Sequence, residues 1–299
     1  MKSSFLKRSA IALLMGSFIQ MAIAQTSLLD SIKQKGEITI GHGEMTIPFT
    51  YILPDETIPR GFSHDIELVI VEHLKKVLNL PNLKVNYQQV TYENLFDLVL
   101  KGNVQLYCGT TTNTVERQKE MSFSNAFFVA STRLMVRKDS GIKSLKDLKD
   151  KRVGTMQDSN SSTFIRSRKI SIGIKEVRAF NREDEAVAAL QSGELQGFFM
   201  SDGTLAGIMA QMDNPDEWEL VGKPATSQRF GCFSRLDPQL KALTDEALAN
   251  FYASGEIYKL YDKWFKEPIA PYNRAIGFEM STETKRIYEA PTDKAIGQP

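Results

Sequence analysis

Few residues in this 299-residue chain are typed and spaced for chemistry. Its three histidines, His42, His64 and His73, show no metal-ligand spacing. Neither a nucleophile elbow nor a phosphate loop occurs. Catalysis would need a perturbed acid or base in a cleft, and Glu44 is the one candidate for it. No enzyme activity, metal or cofactor is expected. Arg117 stands apart because it follows a run of hydroxyl residues, Thr110, Thr111, Thr112 and Thr114. A guanidinium offers a planar fork that matches a carboxylate with two parallel hydrogen bonds. On composition alone, the same arginine reads as a solvated surface charge. Two cysteines, Cys108 and Cys232, complete the set. In an oxidising compartment an even count points to a disulfide, with a pair of buried thiols as the alternative. The loop it would close exceeds 100 residues, so chain entropy sets an upper stabilisation of about 4–5 kcal/mol.

The compartment follows from the first residues. Lys2, Lys7 and Arg8 precede a mostly apolar run from Ile11 to Met21, and Ala22-Ile23-Ala24 supplies small residues for cleavage before Gln25. This is the layout of a secretory signal peptide spanning 1–24. The apolar run is shorter than the roughly 20 residues of a membrane span, and no cysteine lies nearby to take a lipid. The expected location is the periplasm. Overall charge is +1, and without the three cations of the signal it becomes −2. A near-neutral surface excludes nucleic acid as a partner, because that binding relies on clustered Lys and Arg. About 275 residues remain, more than one ordinary core holds, so two lobes are expected.

The elements that must position these residues alternate. Thr26 to Lys35 reads as a short amphipathic helix ended by Gly36, and Glu37 to Gly41 as a strand. Ile66, Val69, Ile70, His73, Leu74 and Val77 recur at helical spacing in a helix running from Gly61 to Leu78. Leu83 to Tyr87 and Val104 to Cys108 read as strands around a helix from Glu93 to Leu100. The alternation restarts with a strand at Arg152 to Met156, a helix after Ser159, a helix from Asp184 to Leu190 and a strand from Leu195 to Met200. Alternating strands and helices favour mostly parallel sheets flanked by helices, and ligands bind such sheets beyond the carboxyl ends of the strands. Asp237 to Ala253 and Glu256 to Phe265 read as amphipathic helices. The polar tail after Thr282 reads as extended and loosely packed.

The stretch Cys108-Gly109-Thr110-Thr111-Thr112-Asn113-Thr114-Val115-Glu116-Arg117-Gln118-Lys119 resembles the periplasmic amino-acid-binding proteins of ABC importers (solute-binding protein family 3), and within them the glutamate/aspartate-binding group. Gly41-His42 with Pro48-Phe49, Phe123-Ser124, Thr132-Arg133-Leu134, Leu205-Ala206-Gly207, Val221-Gly222-Lys223-Pro224, Gly231-Cys232 and Asp262-Lys263-Trp264-Phe265 extend the likeness along the chain. The resemblance implies an α/β, two-lobed periplasmic-binding-protein fold. Lobe one would comprise residues 25–130 and 231–299, and lobe two residues 131–230. Hinge strands would lie near Phe128 to Val136 and Ser227 to Phe233. It also implies a Cys108–Cys232 bridge, a monomer and delivery of ligand to an inner-membrane ABC permease. Two alternatives on the same scaffold are a ligand-binding input for a sensor or chemoreceptor and a dehydratase-type enzyme.

For the site, the resemblance implies that Arg117 anchors the ligand carboxylate, with Thr110 and Thr112 as neighbouring donors. Ser159 and Asn160 stand where the family has a glycine-threonine-threonine turn; Ser159 either meets the ligand or caps its helix, or does both. The amine-binding aspartate of the family is replaced by Ser201, and Asp202 follows it, placed either to reach the ammonium or to cap the next helix. The basic residues that hold a distal carboxylate in the glutamate/aspartate group correspond to Gly43, Leu95 and Arg182, and a hydroxyl position corresponds to Tyr92. Losing two cations would leave a buried carboxylate poorly paired, which argues against strict acidic-amino-acid specificity. Glu44 and Tyr92 point to a larger, more polar or aromatic-tolerant pocket.

Overall fold

The computed structural model describes residues 27–43, 45–296 and 298. The signal segment, Gln25 and Glu44 lie outside the described residues.

Each of two units begins as the alternation predicts. In the first, α1 (Leu28–Lys35) takes its N-cap from Ser27 and ends at Gly36. There follow β1 (Glu37–His42), a ribbon of β2 (Met45–Thr46) and β3 (Thr50–Tyr51), α2 (Phe62–Val77), β4 (Lys84–Gln89) and the short α3 (Leu95–Leu100). β1 and β4 pair in parallel. The expected strand from Val104 to Cys108 is reduced to bridges, Ile40 with Leu106 in parallel and Tyr107 with Phe233 antiparallel. It still carries a strand's position, linking β1 to a strand that returns from far along the chain.

That link is made by two long strands. β5 (Met121–Arg137) has 17 residues, and after it come β6 (Arg152–Met156), α4 (Asn160–Ile172), β7 (Glu176–Phe180), α5 (Glu183–Gln191), β8 (Gly197–Ser201), α6 (Asp202–Gln211), β9 (Trp218–Val221) and β10 (Ser227–Arg235). β6 pairs in parallel with β7 and β8. β8 and β9 pair antiparallel with the distal half of β5, from Thr132 to Arg137. Every residue of β8 is buried, as expected for a central strand covered on both faces. Between the two units β5 and β10 run side by side, Phe128 opposite Phe230 and Ser131 opposite Ser227. Parallel centres with antiparallel edges therefore derive from one pair of shared strands.

The apolar cores divide in the same way. One cluster joins residues from Leu28 to Ala130 with residues from Phe230 to Tyr288. Its centre is aromatic: Phe49 and Phe128 meet edge to face at 5.0 Å between centroids, and Phe62 meets Phe265 at 5.3 Å. Two further clusters draw their buried members only from residues between Leu134 and Val221. Cys108 and Cys232 are disulfide-bonded across 124 positions of sequence, tying the Leu106–Tyr107 segment to β10 beside the first core.

The C-terminal region corrects the sequence reading. After α7 (Pro238–Ala253) and α8 (Glu256–Phe265), the tail forms α9 (Thr282–Glu289), N-capped by Ser281. Thr284, Ile287 and Tyr288 fall on one helical face and are buried. The Tyr288 hydroxyl donates to the Phe127 carbonyl at 2.8 Å, and the Thr284 hydroxyl both accepts from the Val129 N–H and donates to its carbonyl. Further on, Asn113 and Gln118 side-chain amides both donate to the Asp293 carbonyl. A polar composition concealed three inward positions at helical spacing.

Candidate functional site

A cavity of about 590 Å³ lies between the two units. Its walls are the segments that follow β1 (Gly43, Met45, Thr46), β4 (Val90 to Leu95), β6 (Asp158 to Ser161) and β7 (Asn181 to Asp184), together with Thr110 to Thr112 and Ser201. These are the carboxyl ends of the parallel strands, where backbone geometry leaves loops free to converge.

Arg117 lies in a single 3-10 turn, Arg117–Lys119, at the edge of the first unit. Its Nη1 donates to the Thr112 carbonyl at 2.8 Å and its Nη2 to the Asp158 carbonyl of the second unit at 3.0 Å. The guanidinium carbon sits 4.8 Å from the centroid of the Phe96 ring, a cation–π contact. Burial lowers its pKa to about 10 and the nearby Asp158 acts against that shift, so it stays charged at neutral pH. Arg117 makes no ion pair among the described residues. Two carbonyls and a ring thus hold a cation at the seam of the two units.

The other expected residues divide into those that face the cavity with free chemistry and those already committed. Thr110 and Thr112 both line it; Thr112 is buried and bridges Phe230 of β10. Ser159 and Asn160 line it at the N-terminus of α4, whose exposed N–H groups suit an anion. The Ser159 hydroxyl, however, accepts from the Ser162 N–H and donates to the Met156 carbonyl, so it serves its own helix. Ser201 lines the cavity, buried, with its hydroxyl donating to Thr204. Asp202 is turned elsewhere: one carboxylate oxygen accepts from the Ser131 N–H at 3.0 Å and the Gly203 N–H at 2.9 Å. Asp202 is the first residue of α6, after the N-cap Ser201, and its side chain joins that helix start to the crossing strand. Burial raises its pKa to about 6. Arg182 is exposed at the cavity edge and pairs with Asp184 through two contacts of 2.9–3.0 Å. Gly43, Leu95 and Tyr92 all line the cavity.

Sequence reading missed Glu183. It is the first residue of α5 and lines the cavity. Its Oε1 accepts from the Thr46 and Tyr92 hydroxyls of the first unit, each at 3.2 Å. Its Oε2 is buried without a hydrogen-bond partner among the described residues. Burial raises its pKa to about 7, against the lowering effect of the two hydroxyls. The signal would have been β7, which the sequence reading did not assign: a turn that follows a strand of such a sheet lies at the ligand edge.

Two α/β units, joined by a pair of shared strands and enclosing a polar-ended cavity with a half-buried cation, define a receptor that takes a small solute into its cleft. Residues 38–267 match the bacterial extracellular solute-binding proteins, family 3, and the chain belongs to that family. It is 39% identical over 298 residues to the L-glutamate/L-aspartate-binding protein of Pseudomonas aeruginosa, covering 99% of this chain and 98% of that one. It is 39% identical over 278 residues to the glutamate/aspartate import solute-binding protein of Escherichia coli, covering 92% of this chain and 91% of that one. Among solved structures, an ancestral arginine-binding protein bound to arginine superposes with a TM-score of 0.67 at 27% identity, covering 77% of this chain and 98% of that one.

Proposed function

We infer that the protein captures an amino acid in the periplasm and hands it to an inner-membrane ABC permease, acting as a receptor and not as an enzyme. The observation that carries this reading is Arg117, a charged guanidinium lodged at the seam of the two units with contacts to both. The ligand carboxylate takes the place of weaker carbonyl contacts on the guanidinium, aided by Thr110, Thr112 and the α4 N-terminus at Ser159 and Asn160. The glutamate/aspartate and arginine ligands of the relatives support an amino acid as the solute class. Lobe one is residues 25–130 with 231–299, and lobe two residues 131–230. Ligand contacts to both lobes favour the closed form only to the extent that they are absent from the open one. A thermal-shift screen of the twenty amino acids tests it. At ligand about 100 times its Kd, the bound state gains about 2.7 kcal/mol; a flat response to every amino acid would sink the reading. Loss of uptake on gene deletion separates import from a sensory role.

One observation favours catalysis as a second reading: Glu183, a buried acid with a pKa near 7 in the cavity, has the form of a proton-transfer group. That reading requires the ligand to be consumed over time, and recovery of unchanged ligand from the complex excludes it.

Closure itself is open to test at Gly207. A Cβ there would lie 1.9 Å from the Ile47 carbonyl oxygen, so α6 of the second unit touches the Ile47–Pro48 turn of the first with no room to spare. Gly207→Ala is expected to cost the closed form about 1–3 kcal/mol, an affinity loss of about 5- to 150-fold. It should also raise the ligand-bound radius of gyration in small-angle scattering. Unchanged affinity and unchanged scattering would show that closure does not use this contact.

A further inference from the structure

Glu183 meets the ligand chamber from the second unit, while its Oε1 is fixed by Thr46 and Tyr92 of the first. Its buried Oε2 has no hydrogen-bond partner among the described residues. The cavity lining mixes apolar Leu95, Val187, Met200 and Ile208 with polar Asn181 and Gln211. The other acids that line the cavity, Asp158 and Asp184, are exposed to solvent. Asp202 is not among the lining residues and accepts from backbone N–H groups through one oxygen, and the Ser201 hydroxyl donates to Thr204. Arg182 carries its charge at the exposed edge, paired with Asp184. A buried carboxylate with a spare acceptor gains from a donor and loses from another acceptor.

We propose that Glu183 is the specificity residue of this cavity: it selects a ligand that carries, besides the carboxylate held by Arg117, a cationic nitrogen donating to Glu183 Oε2, and it turns away ligands that bring a second carboxylate to that end. The inference rests on the ligand-capture reading of the cavity. Two hydroxyls donate to Oε1, and a cationic nitrogen at Oε2 completes the acceptor set of an ionised carboxylate. A second ligand carboxylate would face the same oxygen as a like charge in an enclosed space, where water cannot screen it. The charges within reach of Glu183 do not reverse this. The phenols of Tyr92 and Tyr107 are held neutral by burial, and Asp184 adds negative charge from the same helix.

The test is calorimetry at pH 7.5 with L-arginine, L-lysine, L-glutamine and L-glutamate, on the wild type and on Glu183→Gln. The better of L-arginine and L-lysine, which carry a side-chain cation, is expected to bind the wild type at least about tenfold more tightly than L-glutamate. In E183Q that preference should shrink at least about tenfold, because an amide is uncharged and offers both donor and acceptor. Wild-type binding of L-glutamate as tight as, or tighter than, that of L-arginine and L-lysine overturns the assignment, and so does an unchanged preference in E183Q. If the variant does not fold, the wild-type ranking alone decides. Tight L-glutamate binding that depends on Arg117 overturns this assignment and leaves the capture reading standing. Silence toward all four, and toward the other amino acids, overturns both.

Discussion

Arg117→Ala is expected to abolish ligand binding and leave a folded protein. Among the described residues the guanidinium meets two backbone carbonyls and one aromatic face, so its removal unpairs no buried carboxylate among them and opens no apolar core. Its burial already opposes its charge; the fold loses a desolvated cation whose benefit lies in the ligand complex. Truncating one member of a hydrogen-bonded charge pair costs about 2–5 kcal/mol in binding, an affinity loss of about 30-fold or more. Arg117→Lys keeps the charge and loses the fork, and should fall between. Calorimetry reads the affinity and a thermal melt reads the fold. Wild-type affinity in the alanine variant would remove Arg117 from the site, and with it the basis for a carboxylate ligand.

The second large effect is on stability. Replacing Cys108 and Cys232 together by serine opens a crosslink between residues 124 apart. Chain-entropy arithmetic for a loop of that length gives about 5 kcal/mol as the upper figure, and removal of native disulfides commonly costs about 2–5 kcal/mol. In a chain of this size each kcal/mol moves Tm by about 2–4 °C, so a fall of about 5–20 °C is expected in the double variant. The bond sits in a sensitive place. The Cys108 N–H donates to the buried Glu67 Oε1 at 2.7 Å, and Glu67 in turn contacts His64. Thr110 and Thr112 follow within the same loop, so ligand affinity should weaken as well. Dithiothreitol gives the same comparison without mutation. An unchanged melt of fully reduced protein would show that the crosslink contributes nothing.

Most of the fold was legible in the sequence, because alternation of strands and helices is a repeating pattern with its own periodicities. What escaped has separate physical causes. The Val104–Cys108 segment has a strand's sequence and is held by bridges on both sides, since its partners come from two distant parts of the chain. β7 (Glu176–Phe180) alternates exposed and buried residues weakly, and its flank position gave no apolar run to notice. α9 is polar overall, and its three inward residues matter only because a particular groove awaits them. At the site, the motif singled out Arg117, which lines the cavity. Glu183 was not legible, because an acid at the first turn of a helix is ordinary; its unpaired oxygen is a property of the assembled cavity. Asp202 shows the converse, an acid of suggestive position with one oxygen engaged by two backbone donors.

The side-by-side passage of β5 and β10 has a consequence for assembly. The cores of the second unit draw on one uninterrupted stretch, Leu134 to Val221, whereas the first core joins residues from before β5 and after β10 begins. Synthesis runs from the N-terminus, and domains tend to fold as units when their residues become available. The second unit has all its strands once β9 is made. The sheet containing β1 and β4 must wait for β10, and the Cys108–Cys232 bond cannot form before Cys232 arrives. The unit that holds β1 is therefore the last to be completed, and until then it presents an unpaired strand edge, the feature most exposed to mispairing with another chain.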